Sequence, residues 1–129
     1  IMLKNPVKID VNSTLKEAVQ TMKKHRVDSL LAVDGEDVLK GILTVDLIDG
    51  QRGDTNKKVS ELMTTEMKTV QEDTLLRDAT RRFLIQGLKS LPVVDTENKL
   101  KGLLTRTSLV DVIYDSLWGS EEIEESQTK

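Results

Sequence analysis

The stretch AVDGEDVLKGILT at residues 32–44 returns as VVDTENKLKGLLT at residues 93–105. Eight of the thirteen positions are identical across an offset of 61: Val33/Val94, Asp34/Asp95, Glu36/Glu97, Leu39/Leu100, Lys40/Lys101, Gly41/Gly102, Leu43/Leu104 and Thr44/Thr105. Extending the offset in both directions needs no gap. Ile9 meets Val70, Leu15 meets Leu76, Ala18 meets Ala79, Met22 meets Phe83, Val27 meets Leu88 and Ser29 meets Ser90. Self-similarity of this kind marks two copies of one supersecondary unit.

Each copy reads as β-α-β-β-α. A short extended stretch, KIDV or KTVQ, leads to a helix start at Asn12-Ser13-Thr14 or Asp73-Thr74, residue types that cap helix N-termini. Apolar residues then recur at helical spacing: Leu15, Ala18, Val19 and Met22 in the first copy, Leu76, Ala79 and Phe83 in the second. SLLAV or SLPVV, a polar turn (DGED or DTEN) and LKGILT or LKGLLT read as the paired strands of a hairpin. A second helix closes each copy, with an expected apolar face of Leu109, Val112, Ile113, Leu117 and Trp118 in the second. The expected division is copy one at 1–49, a Gly-, Asp-, Asn- and Lys-rich linker at 50–58, copy two at 59–118, and an acidic disordered tail at 119–129.

The bulk numbers narrow the function classes. No apolar run approaches the ~18 residues of a membrane span, so direct membrane insertion is not expected. The absence of cysteine rules out a disulfide framework and suits a cytosolic setting. A net charge of −3 argues against a nucleic-acid partner held by bulk electrostatics. The chain opens on IMLKNPVKI, and copy two carries a run, KVSE, with no counterpart before it in copy one, so the chain reads as an excised module of a longer protein.

An enzyme reading has little support. His25, the only histidine, sits in KKHR at a helix end and reads as a partner of the helix dipole rather than a base. Metal-ligand spacing, a nucleophile elbow and a phosphate-binding loop are all missing. Gly41 and Gly102 permit either a close ligand approach or a bulge or packing contact. Thr44 and Thr105 either bond a ligand hydroxyl or phosphate, or cap the helix that follows.

The twice-used β-α-β-β-α unit, with the string "apolar, Val, Asp, turn, Leu, Lys, Gly, apolar, apolar, Thr", resembles the cystathionine β-synthase (CBS) domain family over residues 1–118. The resemblance implies an α+β fold in which two repeats pack with pseudo-twofold symmetry and leave clefts that take adenosine-containing nucleotides. It implies that Val7, Ile9, Val27, Val70, Leu88 and Leu103 lie around the bases and that Ser29 or Ser90 bonds a polar edge. Arg106, with Thr105, is expected to hold a phosphate, since a guanidinium forks onto phosphate oxygens. Arg106 has Val45 as its copy-one counterpart, and Lys89 stands where copy one has Asp28.

The family's ribose pattern, a threonine or serine with an aspartate three residues on, is altered in both copies. Copy two has Ser108 at that place, and copy one has its carboxylate one residue early, at Asp46. Within the family, the ending SLVDVIYDSLWG, the acidic tail and the opening resemble the C-terminal modules of ATP-binding subunits of glycine betaine, carnitine and choline ABC transporters. That resemblance implies a regulatory module at the inner face of the cell membrane, attached to transporter subunits, and the apolar stripe of Leu109, Val112, Ile113, Leu117 and Trp118 leads to the expectation of a homodimer. The ligand it implies is cyclic di-AMP, with AMP, ATP or S-adenosylmethionine sensing, or a ligand-free dimerisation module, as the alternatives.

Overall fold

The structure, a computed structural model, describes residues 5–51, 56–111, 113–115 and 117–118. Copy one runs β1 (Lys8–Asp10), α1 (Leu15–His25), β2 (Ser29–Val33), β3 (Leu39–Thr44) and α2 (Val45–Asp49). A short helix, α3 (Val59–Leu62), precedes the equivalent β4 (Val70–Gln71), α4 (Leu76–Ile85), β5 (Ser90–Val94) and β6 (Leu100–Thr105). Residues 106–111, 113–115 and 117–118 are helical and form α5. The result is two three-stranded sheets of orders β1-β2-β3 and β4-β5-β6, the first pair parallel and the second antiparallel in each. Val112, Ser116, residues 1–4, residues 52–55 of the expected linker and the tail at 119–129 lie outside the described residues.

The two long helices start differently, and the offset explains why. Thr14 caps α1 and forms a reciprocal box with Glu17, which satisfies two backbone N–H groups at the helix end. The 61-residue offset places Leu75 opposite Thr14, so α4 begins without a side-chain cap bond. Thr74, expected as its cap, stands one residue too early. On α1, Leu15, Ala18 and Met22 are buried, but Val19 is 45% exposed. It lies beside the inward stripe rather than in it. The core under the first sheet gathers Ile9, Leu15, Ala18, Met22, Leu30 and Leu43, and that under the second gathers Val70, Ala79, Phe83, Leu91 and Leu104.

The repeated aspartate of each hairpin organises its turn. Asp34 accepts from the N–H groups of Glu36 and Val38 at 2.9 and 3.0 Å. Asp95 does the same with Glu97 and Lys99, both at 2.9 Å. Asp37 and Asn98 take left-handed backbone angles in these turns, which suits Asp and Asn better than most residues. Beyond the turn Val33 pairs Leu39 while Ala32 pairs Gly41, leaving Lys40 as the extra residue of a bulge. Copy two repeats the bulge at Lys101.

The copies are joined by the hairpin turns. Leu39 N–H donates to the Asn98 carbonyl at 2.9 Å, and Leu100 N–H donates to the Asp37 carbonyl at 3.0 Å. These two bonds exchange under the 61-residue offset, so a pseudo-twofold axis passes between Val38 and Lys99, which form a bridge. Leu31, Val33, Leu39, Val94 and Leu100 form a third buried cluster shared by both copies.

The first turn of the second copy does not pack where its sequence position suggests. Val59 is fully buried in the first copy's core. Val59 and Ser60 donate to the carbonyls of Ser13 and Val11, and Leu15 donates to Lys57. Thr64 then exchanges two 2.9 Å backbone bonds with Ile42. Residues 57–64 thus strap copy one along β3. Gly41 sits under this strap: an added Cβ would meet Met63 Sδ at 2.6 Å and the Thr64 carbonyl at 2.8 Å. Of the two sequence readings for Gly41, the packing contact with a bulge is the one found.

Leu109 is 3% exposed and belongs to the second core, not to the outer stripe of α5 expected from spacing. The exposed apolar face consists of Val110, Ile113, Tyr114, Leu117 and Trp118. His25 lies in the last turn of α1 with Lys23 and Lys24, as its dipole reading expects.

Two outcomes follow from this packing. Val59→Ala is expected to lower unfolding free energy by about 2 kcal/mol, the scale of a large-to-small change in a core, while Ser60→Ala stays within about 0.5 kcal/mol; urea unfolding monitored by circular dichroism checks both. The second outcome concerns acid. The Asp34 carboxyl is held below its ordinary value of 3.8, chiefly by the Val38 N–H, and the Asp95 carboxyl chiefly by the Lys99 N–H. The folded state therefore binds these protons less readily than the unfolded chain. The stabilisation is complete above the ordinary value and is lost as pH falls through the lowered folded values. An Asp34→Asn, Asp95→Asn double variant should lose melting temperature less steeply than the parent below about pH 4.

Candidate functional site

The C-terminal ends of β3 and β6 and the entrances to β2 and β5 converge on one groove at the junction of the copies. Ser29 pairs Thr44 and Ser90 pairs Thr105 across their hairpins, so each hairpin delivers two hydroxyl residues to the same edge. A cavity of about 820 Å³ opens there, within the usual size range of small-molecule sites. Its lining comes in offset-related pairs: Ser29 with Ser90, Thr44 with Thr105, Ile42 with Leu103, and Asp28 with Lys89. Copy one alone adds Asn5, Val7, Arg26, Val27, Leu31, Val45 and Asp46.

Of the site residues expected from the sequence, Val7, Val27, Ser29, Ser90, Leu103 and Thr105 line this cavity. Ile9 and Val70 lie in the two cores, facing away from the groove along their strands. Leu88 packs against the second core. Arg106 is exposed at the first position of α5, next to Thr105 and outside the lining of this cavity. Asn5, Arg26, Leu31, Ile42 and Asp46 were not singled out as ligand contacts by sequence reasoning. Ile42 was within reach of it, since its offset partner Leu103 was named.

The two threonines have unequal duties. Thr44 Oγ1 accepts from the Leu47 N–H at 3.4 Å, a weak cap on the five-residue α2. Thr105 is engaged more fully. Its N–H donates to Ser108 Oγ at 3.2 Å, the Ser108 N–H donates to Thr105 Oγ1 at 3.4 Å, and the two hydroxyl oxygens lie 3.3 Å apart. Ser108 is buried and closes α5 onto β6. It is therefore committed to the helix start, and the carboxylates of this groove are Asp28 and Asp46, both from copy one.

Charge in the cavity is mixed: Arg26 and Lys89 line it together with Asp28 and Asp46. Hydroxyls at Ser29, Thr44, Ser90 and Thr105 alternate with Val7, Val27, Ile42 and Leu103. A lining that combines apolar side chains with hydroxyls, two cations and two carboxylates can sandwich a flat heterocycle while bonding sugar hydroxyls and phosphate oxygens. Among the described residues no cluster of His, Cys, Asp and Glu is arranged to hold a metal ion. No described helix is long and apolar enough to cross a membrane.

Comparison with known proteins agrees with this fold. The CBS domain model matches twice, at residues 1–48 and 59–115. The chain is 47% identical over 122 residues to the Bacillus subtilis glycine betaine/carnitine/choline transport ATP-binding protein OpuCA, covering 95% of this chain and 32% of the relative. It thus spans about a third of the length of that curated relative. Among solved structures, Staphylococcus aureus OpuCA superposes with a TM-score of 0.79 at 35% identity, covering 89% of this chain and 97% of that one. CBSX2 in complex with AMP superposes with a TM-score of 0.70 at 26% identity, over 88% of this chain and 93% of that one. The matched part is the regulatory kind of module, not the catalytic one. Two complete matches to one domain model, on two copies of one fold joined about a pseudo-twofold axis, establish that the chain belongs to the CBS domain family, as a tandem pair.

Proposed function

We propose that this CBS pair is the nucleotide-sensing module of the ATP-binding subunit of an osmoprotectant ABC transporter, and that it takes cyclic di-AMP in preference to AMP or ATP. The reading rests above all on the groove: it straddles the pseudo-twofold axis and draws matched hydroxyl and apolar residues from both copies. A ligand that is itself twofold-symmetric presents like groups to both halves. Support for an adenine ligand comes from CBSX2, whose structure holds AMP. Support for the transporter setting comes from the OpuCA relatives, one of them a transport ATP-binding protein; on this reading the module sits at the inner face of the cell membrane.

Preference for the dinucleotide over AMP follows from Ser108. A single ribose is held best by a carboxylate accepting both of its hydroxyls, and the residue at that place in copy two is a buried cap. Val7, Val27, Leu88 and Leu103 contact the bases, Ser29 or Ser90 bonds a polar edge, and Arg106 with Thr105 holds a phosphate at the copy-two end. Binding acts by favouring one arrangement of the two copies over another, which requires unequal affinity for the two arrangements.

Self-association belongs to the same reading. Val110, Ile113, Tyr114, Leu117 and Trp118 recur at helical spacing on the exposed face of α5. Tyr114 and Trp118 stack with ring centroids 5.7 Å apart and tilted by 46°. A continuous apolar stripe of this kind suits an isologous dimer, which would hold two grooves in fixed relation.

Calorimetry with cyclic di-AMP, AMP, ATP and S-adenosylmethionine tests the ligand. Cyclic di-AMP should bind most tightly and at a hundredfold excess over its Kd should stabilise the fold by about 2.7 kcal/mol. A higher affinity for AMP would make the module an energy sensor, and binding of none of the four would leave a dimerisation module. For the phosphate contact, Arg106→Ala should weaken cyclic di-AMP by at least about tenfold with little change in the melting temperature of the free protein. An unaltered affinity alongside a loss in Lys89→Ala would move that phosphate to Lys89. Sedimentation showing only monomer at high concentration would remove the dimer.

A further inference from the structure

Arg26 stands in a conformation that an arginine adopts at a cost. At φ 54° and ψ 50° it is left-handed, the position that ends α1. Glycine populates that region freely, and a residue with a Cβ does so against steric repulsion. Copy two shows the unstrained solution: the residue at the same offset is Gly87, also left-handed at φ 62°. The same turn is thus made with glycine in one copy and with arginine in the other. Only the arginine lines the cavity.

Two structural explanations for the arginine fail. Capping is one, and it is served by the Arg26 backbone N–H, which bonds the Met22 carbonyl and would do so with any residue but proline. The helix dipole is the other, and Lys23, Lys24 and His25 already place positive charge in the last turn. Among the described residues the guanidinium itself has no hydrogen-bond or ion-pair partner. Arg26 is exposed where it lines the cavity, so solvent satisfies its charge; what marks the position is left-handed backbone strain at a cavity wall, a pattern of ligand sites.

From these observations we infer that Arg26 is an anion-binding residue that forms, with Lys89 of the second copy, a phosphate subsite at the copy-one end of the groove. The inference rests on the nucleotide reading above and adds a second anion position to it. The two ends of the groove are then charged by different elements. Copy one has Arg26 on the exit of α1 and Val45 on α2, whereas copy two has Gly87 on the exit of α4 and Arg106 on α5. Arg26 lines the groove, and Arg106 stands next to the lining residue Thr105 without lining the cavity itself, so the two guanidinium groups occupy places unrelated by the offset. A dinucleotide with two phosphates meets one at each end. Asp28 and Asp46 line the same cavity and cancel the net charge of Arg26 and Lys89, so capture of the phosphate depends on the fork geometry of arginine rather than on bulk attraction.

Arg26→Gly installs the residue that copy two already uses and so separates binding from folding. Affinities of the parent and the variant for cyclic di-AMP, AMP and adenosine are measured by calorimetry, together with melting temperatures without ligand. The expected result is about a tenfold loss for cyclic di-AMP, no change for adenosine, which has no phosphate, and a melting temperature equal to or above that of the parent. Cyclic di-AMP affinity equal in parent and variant overturns the subsite while leaving the nucleotide reading intact. A lowered melting temperature with equal losses for adenosine and cyclic di-AMP makes Arg26 structural and also overturns it. A parent that binds neither nucleotide removes the nucleotide reading and this inference together.

Discussion

Everything at the groove depends on two backbone hydrogen bonds that trade places: Leu39 to Asn98 and Leu100 to Asp37. Each joins one copy's strand to the other's turn, and together they fix the axis. Because they are backbone bonds between hairpins of identical register, the side chains two and four residues further along β3 and β6 are placed symmetrically as well. Gly41, Leu43, Gly102 and Leu104 are thereby set against their neighbours, and Ile42, Thr44, Leu103 and Thr105 face the shared cavity. The bonds lie over a joint cluster of Leu31, Val33, Leu39, Val94 and Leu100, so apolar burial keeps them dry and directional.

That symmetry is geometric and not chemical. The scaffold places equivalent backbone at both ends, and the sequence then decorates those positions unequally: Asp28 against Lys89, Val45 against Arg106, Arg26 against Gly87. Thr105 is bound up with Ser108 in a reciprocal cap, whereas Thr44 makes a single long bond and keeps more of its acceptor capacity. A groove with symmetric walls and asymmetric rims can hold a symmetric ligand and still report which end is engaged.

Much of this architecture is legible in the residues because the repeat is scored twice. A strand or helix assigned in one copy is checked by the other, and the hairpin aspartate, the bulge and the terminal threonine recur at fixed spacing. What was not legible depends on tertiary placement. Val19 fits a helical stripe by period, but the sheet covers only the arc held by Leu15, Ala18 and Met22. Leu109 and Ile113 are four residues apart and share a face by spacing, yet among the described residues of α5 only Leu109 joins the second core, and Ile113 is 43% exposed. Thr74 is a good capping residue standing one place too early. Ile9 and Val70 are apolar and lie near the groove in sequence, but strand alternation turns them into the cores. Arg26 was missed because charge at a helix end has a ready dipole explanation, and only the backbone angle and the cavity lining set it apart.

The strap formed by residues 57–64 has a consequence for how the chain comes to be folded during synthesis. A ribosome delivers copy one first, and its sequence unit is complete by Asp49. Its fold is not, because Val59 fills its core and Thr64 pairs its edge strand. The nascent first half therefore waits, with an apolar gap and an open strand edge, until residues numbered with the second half have cleared the exit tunnel. Domain-by-domain folding, the usual order for chains made from one end, is replaced here by an overlap in which the second unit's opening turn completes the first.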